Sequence, residues 1–187
     1  MISKVQHRTL GMAAIAALLI LSSPSLGNAL DVFGGSLINR TPFDRQLQMA
    51  GGLHTYLGTL SGSLQTSDGL FMQARSMRYV NDPQARDTWQ TPEETQTRWS
   101  GDCEDKALWL FTNLKQNGYS NVRLVVGRYT SADNALHVWV TMADNEGHVM
   151  ILDPTIQKKI WSIEDFRAGY YRPLYSFDGI NRYRHDE

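Results

Sequence analysis

The chain has 187 residues, 42% of them hydrophobic and 20% charged, enough for one domain with a real core and too few for two comfortable ones. With 18 Lys and Arg against 19 Asp and Glu the formal charge is −1, so neither a basic excess points to nucleic acid nor an acidic block to a solvating tail. A single cysteine, Cys103, excludes an internal disulfide and a thiolate zinc cage.

The N-terminus departs from this average. Lys4, His7 and Arg8 make a basic start, and Gly11–Leu21 is an apolar run shorter than the roughly 20 residues a bilayer span needs. Ser22–Ala29 is small and polar, with Gly27 and Ala29 in the small-x-small arrangement that a signal peptidase reads. The pattern predicts a secretory signal over residues 1–29 and a periplasmic or secreted product. In an oxidising compartment a lone thiol is a liability unless it is buried or used.

Residues 30–69 read as an N-terminal helical and irregular segment, punctuated by glycines, with one helix predicted over Phe43–Leu57. A domain over 70–187 follows. Its first helical stripe, Leu70–Val80, is stopped by Asn81-Asp82-Pro83. Thr91-Pro92-Glu93-Glu94 predicts a capped helix start running to about Trp99. After Ser100-Gly101 a second helix begins near Asp102, with Cys103, Ala107, Leu110, Phe111 and Leu114 at helical spacing and Asn117-Gly118 as its end. Strands are predicted at Val122–Tyr129, Leu136–Met142, His148–Leu152 and near Leu174–Phe177. Helices first and an antiparallel sheet after them make the fold class α+β.

Cys103 stands in the first turn of the predicted second helix, where unpaired N–H groups and the helix dipole favour a thiolate. That predicts a partly accessible thiol of low pKa, although most lone cysteines are small buried apolar residues. His137 lies on the polar and aromatic face of its strand, opposite Leu136, Val138 and Val140. The Asp144–Gly147 turn then constrains what meets it. With a loop of Ala143–Gly147, His137 lies directly across from Asp153; with Asn145–Gly147 and a left-handed Gly147, Asp153 is one diagonal step away. Both registers put the two side chains on one face, and a one-residue slip would separate them. That face is expected to look toward the N-terminus of the Cys103 helix. Cysteine, histidine and aspartate in this order match the papain-type triad, with the carboxylate fixing the imidazole tautomer. A structural histidine and a plain strand-ending Asp153-Pro154 turn are the competing readings.

Gly101-Asp102-Cys103-Glu104-Asp105 resembles the signature of the bacterial transglutaminase-like cysteine proteinases of the LapG type. The resemblance runs through Arg78–Asp82, Trp89 and Thr91-Pro92-Glu93 upstream, and Leu136-His137-Val138, Ile151-Leu152-Asp153 and Arg172–Phe177 downstream. It implies a papain-like, transglutaminase-like core in which the cysteine helix packs on the sheet bearing His137 and Asp153. It further implies a periplasmic protease with Cys103 as nucleophile, His137 as base and Asp153 as orienter. The implied substrate is a protein, a large surface adhesin, and the implied partner a membrane-associated regulator. Calcium is the implied ion, held by Asp102 and Glu104 with Asp105 as a third candidate; hard oxygen ligands suit it, and acidic residues in a first turn also complement the helix dipole. The same triad would serve a transglutaminase or deamidase acting on glutamine, and the same fold a catalytically silent binding module. Trp89 and Trp99 lie near the motif, where an indole N–H can help form an oxyanion hole and where most tryptophans are core.

Overall fold

A computed structural model of the chain describes residues 33–52, 65–83, 87–130 and 135–186. The predicted signal, His54 and residues 53–57 of the predicted Phe43–Leu57 helix lie outside these residues; within them that helix stops at Met49, because Gly51 and Gly52 take positive φ (94° and 71°).

Four helices form: α1 (Asp44–Met49), α2 (Ser67–Ser76), α3 (Pro92–Arg98) and α4 (Cys103–Gln116). Each has a local cause. Thr91 caps α3 as read from sequence, its hydroxyl accepting from Glu94 N while the Glu94 carboxylate accepts from Thr91 N. The α4 stripe ends at Asn117, and Gly118 takes the left-handed turn (φ 86°) that a β-carbon would strain. The helical stripe read over Leu70–Val80 is shifted: α2 starts earlier, from the Thr66 cap, and its last residues, Arg78–Tyr79, become a strand, β2. That strand pairs in parallel with β3 (Ser100–Gly101).

Seven strands make one sheet in the order β1-β9-β8-β4-β5-β6-β7, every pair antiparallel. The centre, β4 (Val122–Tyr129), β5 (Leu136–Ala143) and β6 (Val149–Leu152), matches the predicted strands closely. The additional pieces are β1 (Ser36–Ile38), β7 (Trp161–Ser162) and β9 (Arg182–Arg184), while β8 (Tyr171–Phe177) extends the predicted terminal strand. Phe43 and Leu47, together with β1, belong to the same core and sheet as the rest of the chain.

The sheet's two faces are filled differently. Leu124, Val126, Val138, Val140, Leu152 and Phe177 pack with the apolar stripe of α4. Val125, Trp139, Ile151, Trp161 and Tyr171 form a second cluster on the other face. Among the described residues no helix is long and apolar enough to cross a membrane.

Candidate active site

Residues 99–105 are pinned from several sides. Trp99 takes a left-handed conformation (φ 48°), rare for a bulky residue and associated with functional turns. Ser100 and Gly101 are held by β2. Asp105 then folds back, its Oδ1 accepting from Gln90 N at 2.7 Å and its Oδ2 from Asp102 N at 3.3 Å and from the Gln90 side chain. A β-carbon at Gly101 would overlap the Asp105 side chain, so this close approach requires glycine. The third calcium candidate is therefore committed to tethering the α4 cap.

The pinned segment delivers Cys103 to the first turn of α4, with the Val138 N–H of β5 directed at its sulfur. Its Sγ–H donates to Glu104 Oε2 at 3.0 Å, not to the imidazole of His137. Burial pushes the thiol pKa up, and the adjacent Glu104 carboxyl pushes it further. Burial first, and then the Glu104 and Asp102 carboxyls, oppose the depressed pKa expected from the helix dipole.

Those carboxyls are themselves crowded. Burial and then Asp102 push Glu104 up to about 9, and burial followed by the charge of Asp82 raises Asp102. Asp82, Asp87 and Glu104 bring carboxylate oxygens within 4.8 Å of one another. Asp102 is buried, and its Oδ1 has no hydrogen-bond partner among the described residues. Asp82 and Asp87 were not singled out by the sequence. Asn81-Asp82-Pro83 reads locally as a helix stop, and nothing in spacing shows that the loop returns to α4.

The β5–β6 register pairs Val140 with Leu152 and Thr141 with Ile151 across a turn with left-handed Gly147 (φ 89°). This is the diagonal register, and it puts His137 Nε2 2.7 Å from Asp153 Oδ2. Both side chains are buried, Asp153 completely. Asp153 Oδ2 also accepts from the Tyr171 hydroxyl at 2.9 Å, and Oδ1 accepts from Thr155 N at 2.9 Å and Ile156 N at 3.2 Å. An ionised carboxylate only accepts, so Nε2 is assigned the ring proton and Nδ1 is the nitrogen left for another partner. Lys106, one turn after Cys103 and buried, donates to Pro154 O at 3.2 Å, tying α4 to the Asp153 turn.

The alternation of β5 also fixes which face His137 and Asp153 share. It is not the face that α4 covers. His137 alternates with Val138 and sits with Trp139, its ring 6.1 Å from the indole, on the side of the second cluster. The apolar stripe of α4 takes the apolar face of β5, so the polar and aromatic face must lie opposite. The cysteine meets β5 along its main chain, at Val138.

No family model matches the chain, and no curated protein matches it. Solved structures do. Legionella pneumophila LapG in an EGTA-treated form aligns with a TM-score of 0.57 and 21% identity over 80% of this chain and 81% of that one. A second LapG structure gives 0.54 and 21% over 78% and 81%, and calcium-bound LapG gives 0.53 and 20% over 80% and 85%. The chain has the LapG fold. At these identities the likeness bears out the α+β architecture of the LapG type and leaves the roles of residues to the site itself.

Within the LapG-like fold the remaining candidates separate clearly. Trp89 is a core residue, its ring 6.3 Å from Phe43. His148 is exposed in the hairpin, 3.0 Å from Asp144 and 3.6 Å from Glu146, and His185 bonds Ser176 Oγ at 2.9 Å. An open cleft of about 870 Å³ between Gly35, Arg128, Arg172 and His185 includes neither Cys103 nor His137. Tyr79 and Val80, held against Gly101, and Leu136, next to His137, are exposed apolar side chains.

Proposed function

We propose that the chain is an exported cysteine peptidase of the LapG type, with Cys103 as nucleophile, His137 as general base and Asp153 as orienter. The observation that carries this reading is the buried His137–Asp153 pair at 2.7 Å beside Val138, whose N–H meets the only thiol of the chain. The Cys103 proton passes to His137 Nδ1, and the thiolate attacks the scissile carbonyl. N–H groups of the first turn of α4 face the developing oxyanion. The imidazolium then protonates the leaving amine, and water, deprotonated by the same nitrogen, hydrolyses the thioester. Asp153 holds the Nε2–H tautomer throughout and balances the imidazolium charge.

This sequence requires the thiol to leave Glu104. Asp82, Asp87, Asp102 and Glu104 fit calcium: they are all oxygen donors, crowded, and include a buried oxygen with no partner among the described residues. A bound calcium would supply positive charge that draws Glu104 away from the thiol. The calcium-bound and EGTA-treated forms of LapG make this ion the first to test.

The substrate on this reading is a protein, a large surface adhesin reached after export through the signal at residues 1–29, with a membrane-associated partner as regulator. The exposed Tyr79, Val80 and Leu136 provide apolar surface for an extended polypeptide beside the cysteine. The test is to add the protein, with calcium and a fluorescent primary amine, to adhesin-bearing bacterial cells. New N-termini on released surface protein, absent with Cys103→Ala, are expected. Dye incorporation without fragments would indicate acyl transfer to amines, and neither effect would indicate a silent module.

A further inference from the structure

We infer that Tyr171 is a positioning residue for the His137–Asp153 pair, its hydroxyl fixing the carboxylate oxygen that in turn fixes the imidazole. The inference rests on the reading of Cys103, His137 and Asp153 as the catalytic group.

The direction of the hydroxyl follows from its neighbours. Asp153 N donates to Gln157 Oε1 at 3.2 Å, so the amide nitrogen of Gln157 is the atom turned to Tyr171. That nitrogen donates to the Tyr171 oxygen at 3.4 Å, and a flipped amide would set two donors against each other at Asp153 N. The Tyr171 proton is thus left for Asp153 Oδ2, at 2.9 Å. Gln157 is itself buried and anchored: its N–H donates to Asp153 O at 3.1 Å, and its carbonyl accepts from Arg75 Nε of α2 at 3.1 Å. Around the ring, Trp139 (5.1 Å), Tyr129 (5.0 Å) and Trp161 (6.2 Å) hold Tyr171 edge-on.

Two oxygens of one carboxylate are therefore fixed by different parts of the chain. Oδ1 is held by the turn that follows it, and Oδ2 by β8 through Tyr171. With only the turn bonds, the carboxyl can swing about its Cβ–Cγ bond, and Oδ2 leaves the line to Nε2. Tyr171 removes that freedom, and burial beside Asp153 raises its own pKa, so it remains a donor.

Tyr171→Phe deletes one oxygen and keeps the packed ring. Tyr183→Phe is the control, because Tyr183 makes a Tyr–Asp hydrogen bond of the same kind, 2.8 Å to Asp178, on β9. Chloroacetamide alkylation of Cys103 with calcium present, and ¹⁵N spectra of the His137 ring in alkaline solution, are measured on each. Tyr171→Phe should alkylate about tenfold more slowly, near the low end for a charge-assisted hydrogen bond, and its ring nitrogens should move toward a mixture of tautomers. Tyr183→Phe should do neither. Gln157→Leu, a second route should Tyr171→Phe not fold, should shift the ring nitrogens the same way. A Tyr171→Phe protein with the wild-type rate and an unmixed Nε2–H tautomer overturns the inference. A His137→Ala control that alkylates like wild type instead overturns the triad, and the ring spectrum then decides on Tyr171 by itself.

Discussion

Asp153 accepts four hydrogen bonds, two from backbone N–H groups and two from side chains, in a fully buried position. Asparagine would bring an NH₂ group against one pair of those donors. Asp153→Asn should therefore fold but lose the Nε2–H tautomer; the corresponding change in a serine protease costs about 10⁴-fold, and a loss of that order in Cys103 alkylation is expected here. His148→Ala should leave alkylation unchanged, since His148 is exposed and pairs with carboxylates of its own turn. Comparing alkylation rates of the two variants with wild type checks both. At this scale the sequence was informative where chemistry is local or constrained by parity: a thiol at a helix start, and a histidine and an aspartate forced to one face by a hairpin. Asp82, Asp87 and Tyr171 were not legible, because their relation to the site comes from loops and strands returning over long separations. The thiol's raised pKa was missed for a related reason. The helix dipole is visible in sequence, whereas the burial that makes Glu104 and Asp102 outweigh it is not.

The capping box of α3 and the left-handed Gly147 were both readable, because a cap or turn is encoded within a few residues. Thr91→Ala should cost about 1 kcal/mol of stability by thermal or urea unfolding, the usual value for a lost N-cap. Gly101→Ala should be more severe and should impair Cys103 alkylation as well, since the added methyl displaces Asp105 from the α4 cap. The short strands β1, β7 and β9 have two or three residues each, too few for a period-2 pattern to emerge. Asp165, which caps the 3₁₀ turn Phe166–Tyr170, gives a pH test of the fold away from the site. The Arg167 guanidinium and N–H hold its carboxyl down to about 2. Because the folded value lies below the ordinary 3.8, this contribution is complete above about pH 4 and is lost as pH falls through about 2. An NMR titration of Asp165 should show that midpoint, and Arg167→Ala should return it toward the ordinary value.

For the molecule as a whole, the chain order of helices followed by antiparallel strands was enough to name the class, and the fold of LapG bears it out. What the order could not give was which sheet face each element takes, since α4 and the second cluster compete for β5 through side chains that alternate. On the proposed reading, the crowded carboxylates also make stability depend on a cation. An ion that binds the folded state alone adds about 2.7 kcal/mol at a free concentration of 100 Kd, so calcium should raise the melting temperature by several degrees, and Asp82→Asn or Glu104→Gln should blunt the rise. The most direct test of the central claim is intact-mass analysis after brief chloroacetamide treatment near neutral pH with calcium present. A single adduct on Cys103 is expected, absent in Cys103→Ala and formed at least about 10²-fold more slowly in His137→Ala, as expected for a lost general base. Equal rates for wild type and His137→Ala, or a thiol that stays inert in the folded protein with calcium bound, would contradict it.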